Sequence, residues 1–502
     1  MPARISDAAS VASGVSGLDH ILAGGYAANR THLVEGRPGS GKTTLGLQFL
    51  LAGVERGERC LYITLSESKR ELLNVAEQHG WDLDGIDIFE LVPPELSLDA
   101  EQHQSLLHTS ELELGETVRM ALAEVERVKP TRIVFDSLSE IRLLSQGSVR
   151  YRRQVLALKS YFLLHDATVM MLDDLTAEQD DLNLHSLAHA VIRLEQLAPV
   201  YGAERRRLRV IKMRGRRFKG GYHDFLIQTG GVEVFPRLVA AEHGRGFARE
   251  VVSSGIAELD ALLGGGLDRG TSTLIVGPSG SGKSTVALGY VEAALNRGEG
   301  VLVVSFDEVL GVFLQRASGI GVELRPHIAS GRLTVQQVDP ADLSPGELAG
   351  RLRRAVEESG VRMVVIDSWS GYVNSMPDEN FLVLQMHELL TYLNQQGVVT
   401  IMILAQHGLL GQMTSPVDLT YLSDTVLLLR FFEAAGRIRR AISVVKKRTG
   451  SHEDTIRELR IDRDGVRVGM PLDAFRGVLT GVPAFDGGSE TLMETRDDDG
   501  LA

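Results

Sequence analysis

The strongest constraint on this chain is a phosphate-binding pattern that occurs twice. GRPGSGKTT occupies residues 36–44, and GPSGSGKST occupies residues 277–285. Each copy follows a short apolar run and precedes a segment with the pattern of a helix. When a strand, a glycine-rich loop and a helix follow one another in this way, backbone N–H groups turn inward around the oxygens of a phosphate chain. The sequence therefore predicts two P-loops, each of which binds a nucleotide.

The similarity between the two halves extends beyond these loops. Their offset is 277 − 36 = 241 residues, and SGVSGLDHILAGG at 13–25 returns at that offset as SGIAELDALLGGG at 254–266. LYITLSES at 61–68 likewise returns as LVVSFDEV at 302–309. A period this long indicates the tandem duplication of a whole domain and not a solenoid repeat.

Apolar runs without alternation predict the fold of each domain. RIVFD (132–136) and TVMML (168–172) lie in the first half, and MVVID (363–367) and VTIMIL (399–404) lie in the second. Such runs are typical of strands that are buried on both faces. Each domain is therefore predicted to be an α/β fold, with a mostly parallel sheet flanked by helices.

The repeat also predicts the limits of the domains. The first domain is expected to span residues 1–240 and the second residues 251–480, joined by a polar linker at 241–250 that contains two glycines. Residues 481–502 are acidic and rich in small residues, which is typical of a disordered tail.

Composition argues against several classes of protein. The net charge of the 502 residues is −13, whereas proteins that coat nucleic acid are usually basic. No apolar run reaches the roughly 18 residues of a membrane span. The single cysteine, Cys60, cannot form an internal disulfide or a cysteine-based zinc site. Together with an N-terminus that lacks an apolar signal segment, these features predict a cytoplasmic protein.

The P-loop pattern assigns a role to individual residues. The loop lysine contacts the β- and γ-phosphates of ATP, and the hydroxyl that follows it ligates Mg²⁺. The predicted ATP-binding residues are Gly36, Gly39, Ser40, Gly41, Lys42, Thr43 and Thr44 in the first copy and Gly277, Gly280, Ser281, Gly282, Lys283, Ser284 and Thr285 in the second.

Two aspartates that end apolar strands are candidate metal ligands. Asp136 and Asp367 are each followed by serine, and a carboxylate at this point can hold Mg²⁺ together with the loop hydroxyl. The predicted metal-binding residues are Thr43, Asp136, Ser284 and Asp367. Because Asp followed by Ser also caps helices well, an N-cap role stays open for both aspartates.

Acidic residues at the end of the strand that follows the P-loop helix are candidate general bases. Glu67 ends LYITLSE, and Asp307 and Glu308 end VLVVSFDE. A carboxylate that faces the γ-phosphate can orient and deprotonate a water or a hydroxyl group. Solvated acids at strand ends are common, but Glu67 and Glu308 recur at the same offset, 308 − 67 = 241. We therefore predict catalytic roles for Glu67, Asp307 and Glu308.

Together these motifs resemble the KaiC family, the two-domain RecA-type ATPases of the cyanobacterial clock and its bacterial and archaeal relatives. The resemblance covers about residues 12–480 and rests on SGLDHILAGG, the two P-loops, FDSLS, IDSWS, IKMRGRRFKGGYHDF and SDTVLLLRFFE. It implies two tandem RecA-like P-loop NTPase domains and a hexameric double ring with ATP and Mg²⁺ bound between subunits. It also implies a KaiB-like or other signalling protein as a partner.

The resemblance further implies that cations of one subunit contact the ATP of its neighbour. Lys212 and Arg214 match the family pattern KxRG in the first domain. In the second domain, Lys446 and Arg448 keep the two cations, whereas Thr449 replaces the glycine. The predicted contacts across the interface are therefore Lys212, Arg214, Lys446 and Arg448.

The same resemblance implies a serine/threonine autokinase in the second domain. Family members phosphorylate an adjacent Ser-Thr pair shortly before Asp-Thr, and here the segment is LTYLSDT at 419–425. Thr420 occupies the serine position and Tyr421 the threonine position. Thr420 is the phosphoacceptor candidate, and the alternative is an ordinary strand threonine.

Two other functions remain open. A RecA- or RadA-like DNA-dependent repair ATPase would use the nine basic residues within 205–219, although these alternate with apolar ones as on a solvated strand face. A nucleotide-gated scaffold with low turnover would fit the first domain, where Ser66 replaces one acid of the family pair.

Overall fold

The computed structural model divides the chain into two compact units, Met1–Arg237 and Leu238–Ala502. The residues that the structure describes are 9–91, 109–145, 147–175, 182–198, 202–339, 341–374, 379–406, 420–434, 436–478 and 484–485.

The first unit alternates strands and helices. Its strands are β1 (Ser10–Val11), β2 (Tyr26–Ala27), β3 (Thr31–Gly36), β4 (Cys60–Thr64), β5 (Ile86–Glu90), β6 (Arg132–Asp136), β7 (Thr168–Asp174), β8 (Ala190–Leu197), β9 (Arg205–Met213), β10 (His223–Gln228) and β11 (Gly231–Phe235). Its helices are α1 (Ser16–Ile21), α2 (Lys42–Val54), α3 (Lys69–His79), α4 (Thr109–Val128), α5 (Leu138–Ser145), α6 (Ser148–Leu164) and α7 (Leu182–Leu187).

The second unit repeats this sequence of elements. Its strands are β12 (Val251–Val252), β13 (Leu267–Asp268), β14 (Ser272–Gly277), β15 (Gly300–Ser305), β16 (Leu333–Gln337), β17 (Val361–Asp367), β18 (Val399–Ala405), β19 (Thr425–Ala434), β20 (Arg437–Lys447), β21 (Ile456–Asp462), β22 (Gly465–Pro471), β23 (Phe475–Arg476) and β24 (Ala484–Phe485). Its helices are α8 (Ala257–Leu262), α9 (Lys283–Asn296), α10 (Leu310–Ser318), α11 (Arg325–Ala329), α12 (Pro345–Glu357), α13 (Trp369–Asn374) and α14 (Glu379–Gln395).

Both units contain a nine-stranded sheet with the same order. The order is β5-β4-β6-β7-β3-β8-β9-β10-β11 in the first unit and β16-β15-β17-β18-β14-β19-β20-β21-β22 in the second. The first six strands of each sheet are parallel, and the last three run antiparallel as a meander. The predicted fold class, two tandem RecA-like domains with mostly parallel sheets, is confirmed.

Burial on both faces explains why the central strands read as continuous apolar runs. All six residues of β3 and of β14 are buried. Successive side chains of a strand point to opposite faces, so Leu33 and Val34 pack into different hydrophobic clusters of the first unit. Leu274 and Ile275 do the same in the second unit. Helices cover both faces of each sheet because each face carries such a cluster.

The segment predicted as a linker lies along the second unit. Ala240 is buried, and its N–H donates to Glu388 Oε2 at 3.0 Å. The carbonyl of His243 accepts from Gln396, and the ring of Phe247 packs so close to Gly397 that a Cβ there would lie 2.7 Å from it. The predicted boundaries at 240 and 251 stay predictions. All but residues 484–485 of the predicted tail lies outside the described residues.

Within the described ranges, none of the helices combines the length and the apolar character that crossing a membrane requires.

Candidate nucleotide sites

Glycines shape both P-loops because their backbone lies where a side chain would not fit. Gly41, the residue before α2, has φ +94°, and a Cβ there would lie 2.6 Å from Ile227 Cδ1. Gly282 precedes α9 with φ +99°, and a Cβ there would lie 2.3 Å from Ile461 Cδ1. Positive φ and close neighbours both favour glycine. The loops can therefore turn their N–H groups inward, as phosphate binding requires.

The buried hydroxyl groups of the loops also fit a phosphate ligand. Ser40 and Ser281 are fully buried, and neither Oγ has a hydrogen-bond partner within the described part of the chain. A buried hydroxyl without a partner is costly. Both lie within the predicted phosphate-binding segments, so bound phosphate oxygens could satisfy them. The structure therefore fits ATP at both loops.

The two P-loop lysines have different surroundings. Lys42 Nζ donates to the carbonyls of Gly36 and Arg37 at 3.0 and 3.1 Å, and it lies 2.6 Å from Asp174 Oδ1. Lys283 Nζ donates to the carbonyl of Pro278 at 2.7 Å. Its unit carries Ala405 at the strand position of Asp174, since Gly36 is in register with Asp174 and Gly277 with Ala405. Burial lowers the pKa of Lys283 to about 8, against the opposing charge of Asp367.

Three oxygen-bearing side chains converge beside Lys42. Thr43 Oγ1 lies 3.5 Å from both Glu67 Oε1 and Asp136 Oδ2. Tyr62 donates its hydroxyl proton to Asp136 Oδ2 at 2.6 Å. Burial raises the pKa of Asp136, and the Tyr62 hydrogen bond and the charge of Lys42 oppose that shift.

This donor set suits Mg²⁺ bound together with a triphosphate. No cluster of three or more His, Cys, Asp or Glu side chains that could hold a metal by itself occurs among the described residues. Mg²⁺ commonly takes one or two protein oxygens and completes its shell with phosphates and waters. Thr43 with Asp136 provides such a pair. In the second unit, burial raises the pKa of Asp367, and a hydrogen bond from Ser284 opposes the shift.

Glu67 has the properties of a general base. Burial raises its pKa to about 7, helped by the charges of Asp136 and Glu71, while Thr43 and Lys42 oppose the shift. Its Oε2 is buried and has no hydrogen-bond partner among the described residues. The Thr64 hydroxyl fixes the turn, because it accepts from Glu67 N–H at 2.9 Å and donates to the Glu67 carbonyl at 2.8 Å. A base with a pKa near the working pH is well suited to proton transfer.

The acids of the second unit are engaged by neighbouring side chains. Ser305 holds the Glu308 backbone as Thr64 holds that of Glu67. Arg316, however, donates to both carboxylate oxygens of Glu308, at 3.1 and 2.6 Å. Asp307 accepts a hydrogen bond from Ser368. The position of Arg316 corresponds to residue 316 − 241 = 75, which is Val75 in the first unit.

The cations predicted to act across subunits lie at the opposite sheet edge from the P-loops. Met213 pairs with Ala190, which in turn pairs with His32 near the start of β3. Lys212 and Arg214, on either side of Met213, therefore lie close to the start of β3. The P-loop begins at Gly36, which is four residues or about 13 Å further along the strand. In the second unit, Lys446 is in register with Val426 and Val426 with Leu274, again before the P-loop. The fold therefore does not bring these cations to the loop of their own domain.

Thr420 lies at the same edge as the second pair of cations. Lys446 Nζ donates to the carbonyl of Thr420 at 2.7 Å, and Arg448 donates to the carbonyl of Tyr421 at 2.7 Å. The side chain of Thr420 is exposed. Residue 419 of the motif lies outside the described residues.

Several arginines of the basic run are paired within the first unit. Arg207 donates to Glu195 Oε2 at 2.8 Å and stacks over Tyr222, with 3.9 Å from its guanidinium carbon to the ring centre. Arg206 lies 3.3 Å from Glu204. Such pairs favour the interpretation of the run as a solvated strand face.

Comparison with known proteins agrees with this geometry. The family model described as "ATPase: KaiC" matches residues 11–239 and 252–473. The chain belongs to the KaiC family. It is 27% identical to the circadian clock protein KaiC3 of Synechocystis sp. over 485 aligned residues, and this alignment covers 95% of each chain. It is 27% identical to KaiC2 of the same organism, over 93% of this chain and 83% of the relative. It is 25% identical to the circadian clock oscillator protein KaiC of Acaryochloris marina, over 93% and 90%. The resemblance is confirmed, and the chain is a KaiC-like P-loop ATPase.

Three residues at the sites of this KaiC-family ATPase were not predicted from the sequence as site residues. Asp174 and Tyr62 lie at the end and in the middle of apolar strands, where the pattern indicates only burial. Arg316 lies in the last turn of an ordinary amphipathic helix. Comparing each position with its counterpart, Ala405, Val303 or Val75, would have marked all three as differences between the repeats.

The pKa of Glu67 predicts the pH dependence of the first domain. In a Lys283→Ala background, kcat/KM for ATP should rise about tenfold from about pH 6 to about pH 8, because only the deprotonated carboxylate can accept a proton. Steady-state phosphate release measures this profile. Glu67→Gln should remove most of the activity at every pH. A flat profile over this range would contradict the role of Glu67 as the base.

The contact between Arg316 and Glu308 predicts that the second domain hydrolyses ATP slowly. Arg316→Val introduces the residue of the first repeat and frees both oxygens of Glu308. In a Lys42→Ala background, we expect phosphate release to increase about three- to tenfold, since both oxygens of Glu308 then become available to orient a water. Arg316→Lys, which keeps the charge but not the two-pronged contact, should give a smaller increase. A decrease in Arg316→Val would show that the arginine assists the reaction.

Proposed function

We propose that this chain is a hexameric signalling ATPase that hydrolyses ATP mainly in its first domain. The convergence of Thr43, Asp136 and Glu67 beside Lys42 is the observation that carries this proposal. Lys42 would bind the β- and γ-phosphates, and Glu67 would orient a water and take its proton as the water oxygen attacks the γ-phosphorus. The bond from the γ-phosphorus to the β–γ bridging oxygen breaks in this step, so that ADP and phosphate are released. Mg²⁺ held by Thr43 and Asp136 would neutralise charge that develops on the phosphate oxygens.

Assembly into a ring would complete each nucleotide site. Lys212 and Arg214 lie at the far end of the sheet from the P-loop of their own domain. They therefore do not contact a triphosphate at that loop, which supports a ring in which they face the ATP of a neighbouring subunit. Lys446 and Arg448 would have the same role in the second domain. The names of the relatives, which are circadian clock proteins, support a signalling role. A hexamer and a KaiB-like or other signalling partner are what the resemblance to the KaiC family implies.

The second domain would transfer phosphate to Thr420 of the neighbouring subunit. Thr420 lies beside Lys446 and Arg448, so the surface that would face a neighbour's P-loop also presents the acceptor. In this step Thr420 Oγ forms a bond to the γ-phosphorus, and the bond to the β–γ bridging oxygen breaks and releases ADP. Glu308 or Asp307 would accept the hydroxyl proton.

One alternative function has a specific observation in its favour. The contact between Arg316 and Glu308 fits a second domain that binds nucleotide with little turnover, as a nucleotide-gated scaffold would. A DNA-dependent repair ATPase has less support, because Arg206 and Arg207 already pair with carboxylates. Titrating single-stranded DNA into the hydrolysis assay would separate these cases, since strong stimulation would favour the repair function.

Removing the two P-loop lysines separately tests hydrolysis and assembly. We expect Lys42→Ala to lower phosphate release by at least about tenfold and Lys283→Ala to lower it much less. The double variant should be inactive. Native mass in saturating ATP and Mg²⁺ should be that of six chains. An unchanged rate in the double variant would overturn the ATPase assignment, and a monomeric mass would overturn the ring.

Intact mass after incubation with ATP tests phosphotransfer. One added phosphoryl group should appear on the unmodified chain. It should be absent from Thr420→Ala, which lacks the acceptor hydroxyl, and from Lys283→Ala, which lacks the lysine that binds the phosphates. Thr420→Ser should retain it. Tyr421→Phe is the matched control and should also retain it. A phosphoryl group that persists in Thr420→Ala would exclude Thr420 as the acceptor.

A further inference from the structure

A cavity of 240 Å³ opens at the first-unit sheet edge that is opposite the P-loop. We call it the β3-edge pocket. Arg30, Lys159, Arg214 and His189 line it, together with apolar side chains such as Leu163. Its volume is several times the roughly 30 Å³ that a water occupies in the liquid. None of its described lining residues is acidic, and Asp166, which accepts from Asn29 at 3.3 Å, is not among them.

The end of α7 positions the cations of this pocket. The carbonyl of Ser186 accepts from Arg214, and that of Leu187 accepts from Lys159 at 2.7 Å. The preceding carbonyl, that of His185, accepts from Lys212, which lies outside the lining of the pocket. Carbonyls at the carboxyl end of a helix carry partial negative charge and attract cations. The three cationic side chains, which come from α6 and the end of β9, are thereby gathered at one point.

Burial and the neighbouring positive charges lower the pKa values of two of these groups, Lys159 and His189. Burial lowers the pKa of Lys159, and the charges of Arg214 and Arg30 lower it further. Burial also lowers the pKa of His189, and the charges of Arg30 and Arg214 contribute to the shift. His189 Nε2 is buried and has no hydrogen-bond partner among the described residues. A concentration of positive charge with a buried donor position attracts an anion.

The second unit lacks this arrangement. Asp424 is the counterpart of His189. His32 pairs with Ala190, the residue after His189, and the equivalent Thr273 pairs with Thr425, the residue after Asp424. Asp424 accepts from Ser272 Oγ at 3.1 Å and lies 3.6 Å from Arg448. Two further pocket cations are replaced, since 159 + 231 gives Leu390 on the matching helix α14 and 30 + 241 gives Thr271, whereas Arg214 is kept as Arg448. The second unit thus places a carboxylate beside its cation, whereas no described residue that lines the pocket of the first unit is acidic.

We propose that the β3-edge pocket binds a phosphoryl anion. Arg30, Lys159 and Arg214 would donate to its oxygens, and His189 would provide a further hydrogen bond. The anion has two sources with the same chemistry, inorganic phosphate from solution or the terminal phosphate of a nucleotide on a neighbouring subunit. The second source rests on the proposed ring, whereas the first needs only a single chain.

Calorimetric titration of the nucleotide-free full chain with inorganic phosphate tests the pocket. The variants Arg30→Thr, Lys159→Leu and His189→Asp each introduce the residue of the second unit. We expect phosphate to bind the unmodified chain and to bind each variant at least about tenfold more weakly, since a charge-assisted hydrogen bond is lost or a carboxylate is added. Arg153→Leu, which removes an exposed cation from α6 outside the pocket, is the matched control and should bind phosphate normally.

Assembly in ATP separates the two sources. If the pocket holds a neighbour's terminal phosphate, Arg30→Thr and Lys159→Leu should raise the ATP concentration needed for ring formation, while Arg153→Leu should not. If it holds free phosphate alone, assembly should be unchanged, and inhibition of hydrolysis by added phosphate should disappear in the same variants.

The inference and the proposed ring fail in different ways. If the chain is monomeric but binds phosphate through these residues, the pocket proposal is supported and the ring proposal is overturned. An intact ring whose phosphate binding and ATP-dependent assembly do not differ between the pocket variants and Arg153→Leu would overturn the inference. Arg30→Thr alters an exposed residue, so its result does not depend on repacking of the core.

Discussion

The chemistry of each unit depends on parallel strands that end at one edge of a sheet. In the first unit, Gly36 and Asp136 are 136 − 36 = 100 residues apart, yet the order β3-β7-β6-β4 brings both to that edge. Thr43 on the first turn of α2 and Glu67 just after β4 then meet Asp136 without a long loop. Groups held by strands and helix ends are positioned more precisely than groups on loops. The same parallel order in the second unit supports the site around Lys283.

The two repeats share the P-loop and differ in the contacts that their acidic side chains make. One oxygen of Glu67 has no hydrogen-bond partner within the described ranges, and burial raises its pKa to about 7, both of which favour proton transfer. Glu308 has its two oxygens on the guanidinium of Arg316. A carboxylate with an oxygen free for a water can act on that water, whereas one with both oxygens on a guanidinium must first break that contact. The presence of two acids in the second repeat therefore does not by itself make that repeat the faster hydrolase.

The opposite edge of each sheet carries the groups that cannot serve their own P-loop. In the first unit this edge concentrates positive charge around Lys159 and His189. In the second unit the corresponding edge has Asp424, which pairs with Arg448 and lies beside the Thr420 candidate acceptor. Duplicated domains with the same strand order can thus present different charges to whatever faces them, because side chains at strand ends change without disturbing the core.

The amino-acid sequence by itself determined the duplication, the two P-loops, the parallel α/β class and the candidate acids, because glycine spacing and unbroken apolar runs are local features. It could not establish that Lys42 pairs with Asp174, that Arg316 holds Glu308 or that carbonyls of α7 accept from Lys159 and Arg214 of the β3-edge pocket. Those contacts depend on strand register and helix packing, which no local pattern of residues specifies. The tertiary structure therefore decided which acid has a free oxygen, which P-loop lysine has an acidic partner and where cations gather.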